Sequence, residues 1–347
     1  MTSLERVTLA LNHQEADRVP VYPIMSGVTR KLIGASYKDW ATKADVCAEG
    51  FLKSAEQFDI DTIVTLIDLS VECTAWGQEL VYPEDTAAHP NYDNMVIQDI
   101  EDYANIKKVD YRTCERMMMH IDVCRRLVEA KGKDMPIVAF VFGPLGTLSM
   151  LRNQQDMYMD LYDDPDAVKA AAREINETLK EYVAALCDAG VAGIMFDTLF
   201  ASGSIMSKPM WEEMEGDLMR ELSEVVRQKG CLNMIHNCGE RIYFDAQIEA
   251  IQPAAISFLY PSDDCKSFAE VKQKYGDTVT LIGCVTPANA VIGTDEEWDQ
   301  QCREQIDAMA KGGGFMLATG CEYPSDATFD RAQRMIDIAK TYGQYKK

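Results

Sequence analysis

The turn Asp163-Asp164-Pro165-Asp166, the segment AVKAAAREINETLKEYVAALCDA at residues 167–189, Gly190 and then Gly193-Ile194-Met195-Phe196 carry in one unit the pattern of the whole chain. Apolar residues recur at helical spacing from Ala167 to Ala189. The acidic turn opens that helix, because a proline in the first turn sacrifices no intrahelical hydrogen bond. Gly190 ends it, since glycine accepts the left-handed conformation that terminates helices. The apolar run that follows is too short for a second helix and predicts a strand covered on both faces.

Working outward, Pro209–Gln228 and Glu296–Lys311 repeat the helical pattern and are followed by Gly230 and Gly312. Strand-like runs occur at Arg18–Ile24, Thr62–Ile67, Pro136–Phe142, Gly193–Phe196, Cys231–Ile235, Ala254–Phe258, Thr278–Ile282 and Gly314–Ala318. Strands alternating with helices imply a parallel sheet with helices outside it. Eight such units with no Pro/Gly/Ser linker predict an α/β fold: a single-domain (β/α)8 TIM barrel over residues 1–347, rather than an open doubly wound sheet. No Gly-x-Gly-x-x-Gly follows the first strand, which argues against dinucleotide binding.

Composition narrows the function classes. With 47% apolar residues the chain has material for a large core, and its formal charge of −22 repels nucleic acid and anionic membrane surfaces. No run is long and apolar enough to predict a membrane helix. Met1–Arg6 lacks the basic-then-apolar pattern of a secretory signal. Eleven cysteines, an odd number without framework spacing, fit a reducing compartment, so a cytoplasmic location is expected. Cys47, Cys124 and Cys187 fall in helical runs and are expected to be buried thiols. His13, His89 and His120 lie away from strand ends and are expected to be surface or packing residues.

In a barrel of this kind reactive groups gather at the C-terminal ends of the strands. The fifth run ends in His236-Asn237-Cys238, and the eighth in Thr319-Gly320-Cys321-Glu322. Asp68 and Glu72 follow the second run, and Asp197 follows the fourth. His236 and Cys238 are two apart and so can present their side chains to one side. Gly320 frees the backbone in front of Cys321. One imidazole and two thiolates make a zinc site, and three protein ligands leave the fourth tetrahedral position open, the pattern of catalytic zinc. His-x-Cys alone is a weak motif; its match with a second strand end gives it weight. The alternative, a cysteine nucleophile with a histidine base, is disfavoured because residues two apart rarely form the activating hydrogen bond.

Several segments resemble the uroporphyrinogen decarboxylase superfamily. They are the opening Arg6-Val7-Thr8-Leu9-Ala10-Leu11-Asn12-His13-Gln14-Glu15-Ala16-Asp17-Arg18-Val19-Pro20-Val21, then Gly143–Leu148, Gly283–Pro287 and Thr319–Pro324. The resemblance spans nearly the whole chain and implies a barrel. True decarboxylases carry an Arg-Gln-Ala-Gly-Arg segment whose arginines bind substrate carboxylates. Here the corresponding stretch reads Tyr22-Pro23-Ile24-Met25-Ser26-Gly27-Val28-Thr29-Arg30, without the paired arginines. The chain is more similar to the zinc methyltransferase branch, which includes methylcobamide:coenzyme M methyltransferases, and His236, Cys238 and Cys321 fall on that branch's metal motif.

That branch implies zinc and a corrinoid, the latter carried by a partner protein or met as co-substrate, with a small-molecule methyl donor or acceptor. It implies methyl transfer to a zinc-held thiol, or the reverse half-reaction. Asp68, Glu72, Asp197, Asn237 and Tyr260 are the expected substrate shell, or the groups that orient the His236 ring. Competing readings are a cofactor-free decarboxylase or lyase of the parent family, and a non-catalytic corrinoid-associated accessory protein.

Overall fold

Pro20 and Pro23 decide where the backbone ladder of this protein stops. The strands are β1 (Ile63–Val64), the hairpin β2 (Leu80–Val81) and β3 (His89–Pro90), β4 (Ile137–Phe142), β5 (Gly193–Asp197), β6 (Leu232–Asn237), β7 (Ala255–Phe258), β8 (Thr280–Val285) and β9 (Phe315–Thr319). In this computed structural model, which describes residues 1–345, all but the hairpin join one curled sheet. Its order is β1-β4-β5-β6-β7-β8-β9, parallel throughout.

The sheet has seven strands where eight were expected. The Arg18–Ile24 run is extended but forms only isolated bridges. Proline has no N–H to give to a ladder, so Pro20 and Pro23 remove two donors from seven residues. The remaining groups still engage. Tyr22 N–H donates to Leu317 O (2.9 Å), Leu317 N–H to Pro20 O (2.8 Å) and Asp61 N–H to Val21 O (2.9 Å). The segment therefore runs beside β9 and is joined to the residues that enter β1.

Side-chain alternation sorts the core into two parts. Val138, Phe140, Met195, Met234, Ala255, Ile282 and Met316 cluster on one face of the sheet. Ile194, Phe196, Ile235, Ile256, Leu281 and Leu317, one residue out of phase, belong to the larger cluster shared with the helices. Each fully buried side chain of this kind stabilises the fold by roughly 1.5–3 kcal/mol, so the bulk of the stability lies in these two layers.

Helices cover the outer face. Pro165–Asp188 begins where Asp164 accepts the Ala167 N–H, and Asp295–Met309 begins with a reciprocal Thr294/Glu297 cap. The helix expected at Pro209–Gln228 is continuous but not α-helical throughout. Lys208–Trp211 and Asp217–Gln228 flank a π-helical turn at Glu212–Gly216. That turn carries Glu215 into the interior, where Leu145 N–H (2.9 Å) and Trp211 Nε1–H (2.8 Å) donate to it. Cys47, Cys124 and Cys187 are buried, as their helical settings predict. His120 packs inside between Thr65 and Tyr182, and burial lowers its pKa to about 3. No helix of the described residues is long and apolar enough to cross a membrane.

Two buried carboxyl groups brace the start of the sheet. Asp61 is fully buried and receives Arg6 Nη1–H (2.6 Å), Arg18 Nη1–H (2.7 Å) and Val21 N–H (2.8 Å). It thus ties the first helix, Ser3–Leu11, and the Arg18–Ile24 run to the entrance of β1. Among the described residues Glu72 has no cationic partner, and it accepts the Phe142 N–H (3.3 Å) at the exit of β4.

Asp61→Ala leaves the Arg18 guanidinium buried without its carboxylate. It is expected to destabilise the protein by about 3–5 kcal/mol in denaturant unfolding. Burial raises the Glu72 pKa from 4.5 to about 8. The folded state therefore holds that proton more tightly than the unfolded chain. The associated stability is complete below pH 4.5 and is lost as pH rises through about 8. Glu72→Gln should flatten this decline, seen as a smaller fall in Tm across that window, by up to a few kcal/mol at about 1.36 kcal/mol per pKa unit.

Candidate metal centre

Parallel pairing sets Asp197 of β5 beside His236 of β6, and His236 beside Ser257 of β7. Each lies two residues beyond a member of the inner layer, Met195, Met234 and Ala255, so the three continue that layer toward the strand exits. His236 Nδ1 lies 3.0 Å from the Ser257 hydroxyl, which fixes the ring plane and leaves Nε2 for another partner. Phe140 packs against the ring at 5.9 Å between centroids.

Cys238 follows β6 by one residue, and Cys321 follows β9 by two. A side chain at Gly320 would meet Leu259 at 2.5–2.9 Å, so only glycine lets the exit of β9 pass this close to that of β7. As a result the ligand atoms of His236, Cys238 and Cys321 all lie within 4.8 Å of one another. Ligands of a tetrahedral zinc stand about 3.5–3.8 Å apart, given bonds of roughly 2.0–2.3 Å, so the three donors need only a small contraction to share one ion.

Without a cation the three groups share protons among themselves. The Cys321 thiol is pushed well down, chiefly by the hydrogen bond from Cys238, whose own pKa rises in return. Burial disfavours a charged His236 ring, but its hydrogen bond to the Cys321 sulfur and the nearby carboxylates outweigh that and raise its pKa. Two sulfurs this close cannot both be thiolates without a cation between them. A soft divalent ion suits that N/S donor set.

The donors border a cavity of about 290 Å³ whose walls include Leu66, Phe140 and Met150. Asp197 lines it, and burial raises its pKa to about 7. Asp68 lines it too, but its carboxylate is occupied by Arg116 Nη1–H (3.0 Å) and Nη2–H (2.7 Å) and by Ser70 N–H (2.9 Å).

The other expected residues stand elsewhere. Glu72 does not line the cavity, because the chain after Asp68 turns into the short helix Glu72–Trp76 and aims it at β4. Asn237 donates from Nδ2 to Thr198 O (2.7 Å) and accepts the Gly239 N–H (2.9 Å), lashing the β6 exit to that of β5. Tyr260 is 41% exposed and is not a wall residue.

Three residues of the site carry no such role in the sequence reading. Ser257, rather than any carboxylate, holds the ring nitrogen of His236; period-two alternation from Ala255 identifies it as inward-facing. Glu322 lines the cavity, hydrogen-bonded by the Ser26 hydroxyl, with its pKa raised by burial to about 7. Its adjacency to Cys321 was the available signal. His89, expected at the surface or in packing, is a wall residue stacked on Tyr92 at 5.3 Å. The β2–β3 hairpin brings it back over the strand exits.

Comparison with known proteins agrees with this architecture. A methyltransferase from Methanosarcina mazei superposes with a TM-score of 0.78 at 17% identity, covering 99% of each chain. A B12-independent methionine synthase from Shewanella sp. W3-18-1, in complex with selenomethionine, gives 0.53 at 16% identity over 94% of this chain and 95% of that one. A putative vitamin-B12 independent methionine synthase from Listeria monocytogenes gives 0.53 at 11% identity over 96% and 99%. At these identities the likeness is one of fold. No curated protein matches the chain. The family model for uroporphyrinogen decarboxylase (URO-D) matches residues 2–342, so the chain belongs to the URO-D family.

Proposed function

We propose that this protein is a methyltransferase that moves a methyl group between a corrinoid carried by a partner protein and a small molecule, with His236, Cys238 and Cys321 holding one zinc ion. The reading is carried by one nitrogen and two sulfurs within 4.8 Å of one another, beside a cavity at the strand exits. Three such ligands leave one tetrahedral corner for a reactant. When bound there, zinc supplies a cation that keeps a substrate thiol deprotonated near neutral pH.

The chain's own residues do the rest. Ser257 orients His236 through Nδ1, Phe140 and Leu66 keep water from the reacting groups, and Asp197 presents a carboxyl group to the bound molecule. The structural neighbour from Methanosarcina mazei, itself titled a methyltransferase, supports the choice of chemistry. Decarboxylation of a polyacid has less support, because no Lys or Arg among the described residues lines the cavity.

A partner over the cavity mouth is supported by the distribution of exposed apolar side chains. Tyr92, Met159, Tyr162, Tyr260, Val291 and Ile292 each lie on a connection after a strand exit and before the helix that returns along the sheet. Apolar groups concentrated on one rim mark an association surface. We take residues 1–347 as a single barrel domain, closed between β9 and β1 by the Arg18–Ile24 run, acting in the cytoplasm.

Purified protein should contain about one zinc per chain by elemental analysis, and Cys238→Ser or Cys321→Ser should lose it with the far-UV circular dichroism unchanged. Ser257→Ala, which frees the ring of His236, should weaken zinc binding by about 10–100-fold in chelator competition. Methyl transfer from free methylcobalamin to thiols should vanish with the metal in the cysteine variants. A zinc-free protein that still transfers methyl groups would refute the reading.

A further inference from the structure

The cavity walls carry a charge pattern that the metal site does not account for. Three carboxyl groups line them, Asp68, Asp197 and Glu322, and among the described residues no Lys or Arg does. Only Asp68 is neutralised, by its two-point contact with Arg116. Asp197 is 5% exposed; its Oδ1 accepts the Leu199 N–H (3.1 Å), while Oδ2 takes no hydrogen bond within the described chain. Glu322 is held by the Ser26 hydroxyl, which is uncharged.

Filling the metal site does not change this balance. A divalent ion bound by two thiolates and a neutral imidazole carries no net charge, so Asp197 and Glu322 remain without a counter-charge. A cation entering this site finds two carboxyl groups placed to pair with it, whereas an anion finds no Lys or Arg among the described wall residues. Phe140 and Tyr92 are among the wall residues, and aromatic rings attract cations rather than anions. The volume of about 290 Å³ restricts the occupant to a small molecule.

We propose that the substrate of this site is cationic: a small thiol, or its S-methyl thioether, whose remaining part carries an ammonium group facing Asp197 and Glu322, and not one ending in a sulfonate or carboxylate. This rests on the thiol-at-zinc reading given above and adds the identity of the tail.

Three thiols that share a mercaptoethyl head test it: 2-aminoethanethiol, 2-mercaptoethanol and 2-mercaptoethanesulfonate. In cobalt(II)-substituted protein at pH 8, thiolate binding is read from the sulfur-to-cobalt absorption band. The S-methyl forms of the same three compounds are titrated by calorimetry. In both series the ammonium compound is expected to bind at least about tenfold more tightly than the sulfonate, and more tightly than the alcohol. Asp197→Asn combined with Glu322→Gln should reduce the amine-to-sulfonate ratio to within about threefold. A sulfonate or alcohol that matches the amine, a ratio unchanged in the double variant, or no heat from any thioether overturns the proposal. If no thiol moves the cobalt band while the thioethers keep the charge order, the thiol reading falls and the charge preference stands.

Discussion

The register of three parallel strands is the constraint from which the site follows. Because β5, β6 and β7 pair without slippage, Asp197, His236 and Ser257 stand side by side in one row, above the layer of Met195, Met234 and Ala255. A slip of one residue would turn His236 toward the helices and bring Ile235 inside. The apolar layer beneath the row resists such a slip, since every side chain in it would move to the wrong face. Packing below the site therefore sets the position of the chemistry above it.

The row alone would hold an ordinary buried histidine. What sets it apart is the arrival of Cys238 from the same strand and of Cys321 from β9, which is brought in by the close approach of Gly320 to Leu259. Bringing two ionisable sulfurs and an imidazole together away from water is unfavourable unless a cation compensates. The surrounding carboxyl groups add to the cost rather than reduce it, with the exception of Asp68, whose charge Arg116 has already met. Such an arrangement is held by the stability of the scaffold, here the two apolar layers and the Asp61 hub.

Much of this was legible in the residues, and the failures have physical causes. Short apolar runs between helical segments identify β4, β5, β6, β7, β8 and β9 because no proline inside them removes a donor. The Arg18–Ile24 run has the same apolar character, but its two prolines remove donors, a local fact that outweighs the pattern. The π-helical turn at Glu212–Gly216 leaves the apolar spacing of Pro209–Gln228 almost unchanged, so periodicity does not register it.

Among the site residues, His236, Cys238, Cys321 and Asp197 were visible because a strand end gives them a direction. Glu72 lies eight residues beyond β1, where alternation no longer says which way a side chain points, and Tyr260 is out of phase with the inward-facing Ala255 and Ser257. Asn237 faces away from the cavity because its amide serves the backbone of the neighbouring exit. His89 depends on the return path of a long connection, and no local pattern encodes that path.

The proline-interrupted segment has a mechanical consequence. From β1 round to β9 every neighbouring pair of strands in the curled sheet is stitched by a ladder, whereas the Arg18–Ile24 run meets β9 at the Val21–Leu317 bridge and the entrance of β1 through the Asp61–Val21 hydrogen bond. A sheet whose two edge strands are linked only through so lightly bonded a run is most compliant there, so its edges can adjust while the strands bearing His236 and Ser257 keep their alignment. Cys321 stands just past β9 and Ser26 just past the Arg18–Ile24 run, close enough for Ser26 to hold Glu322. Small adjustments in the spacing of Cys321 from His236 and Cys238 can thus be taken up at the sheet's edge instead of in its core.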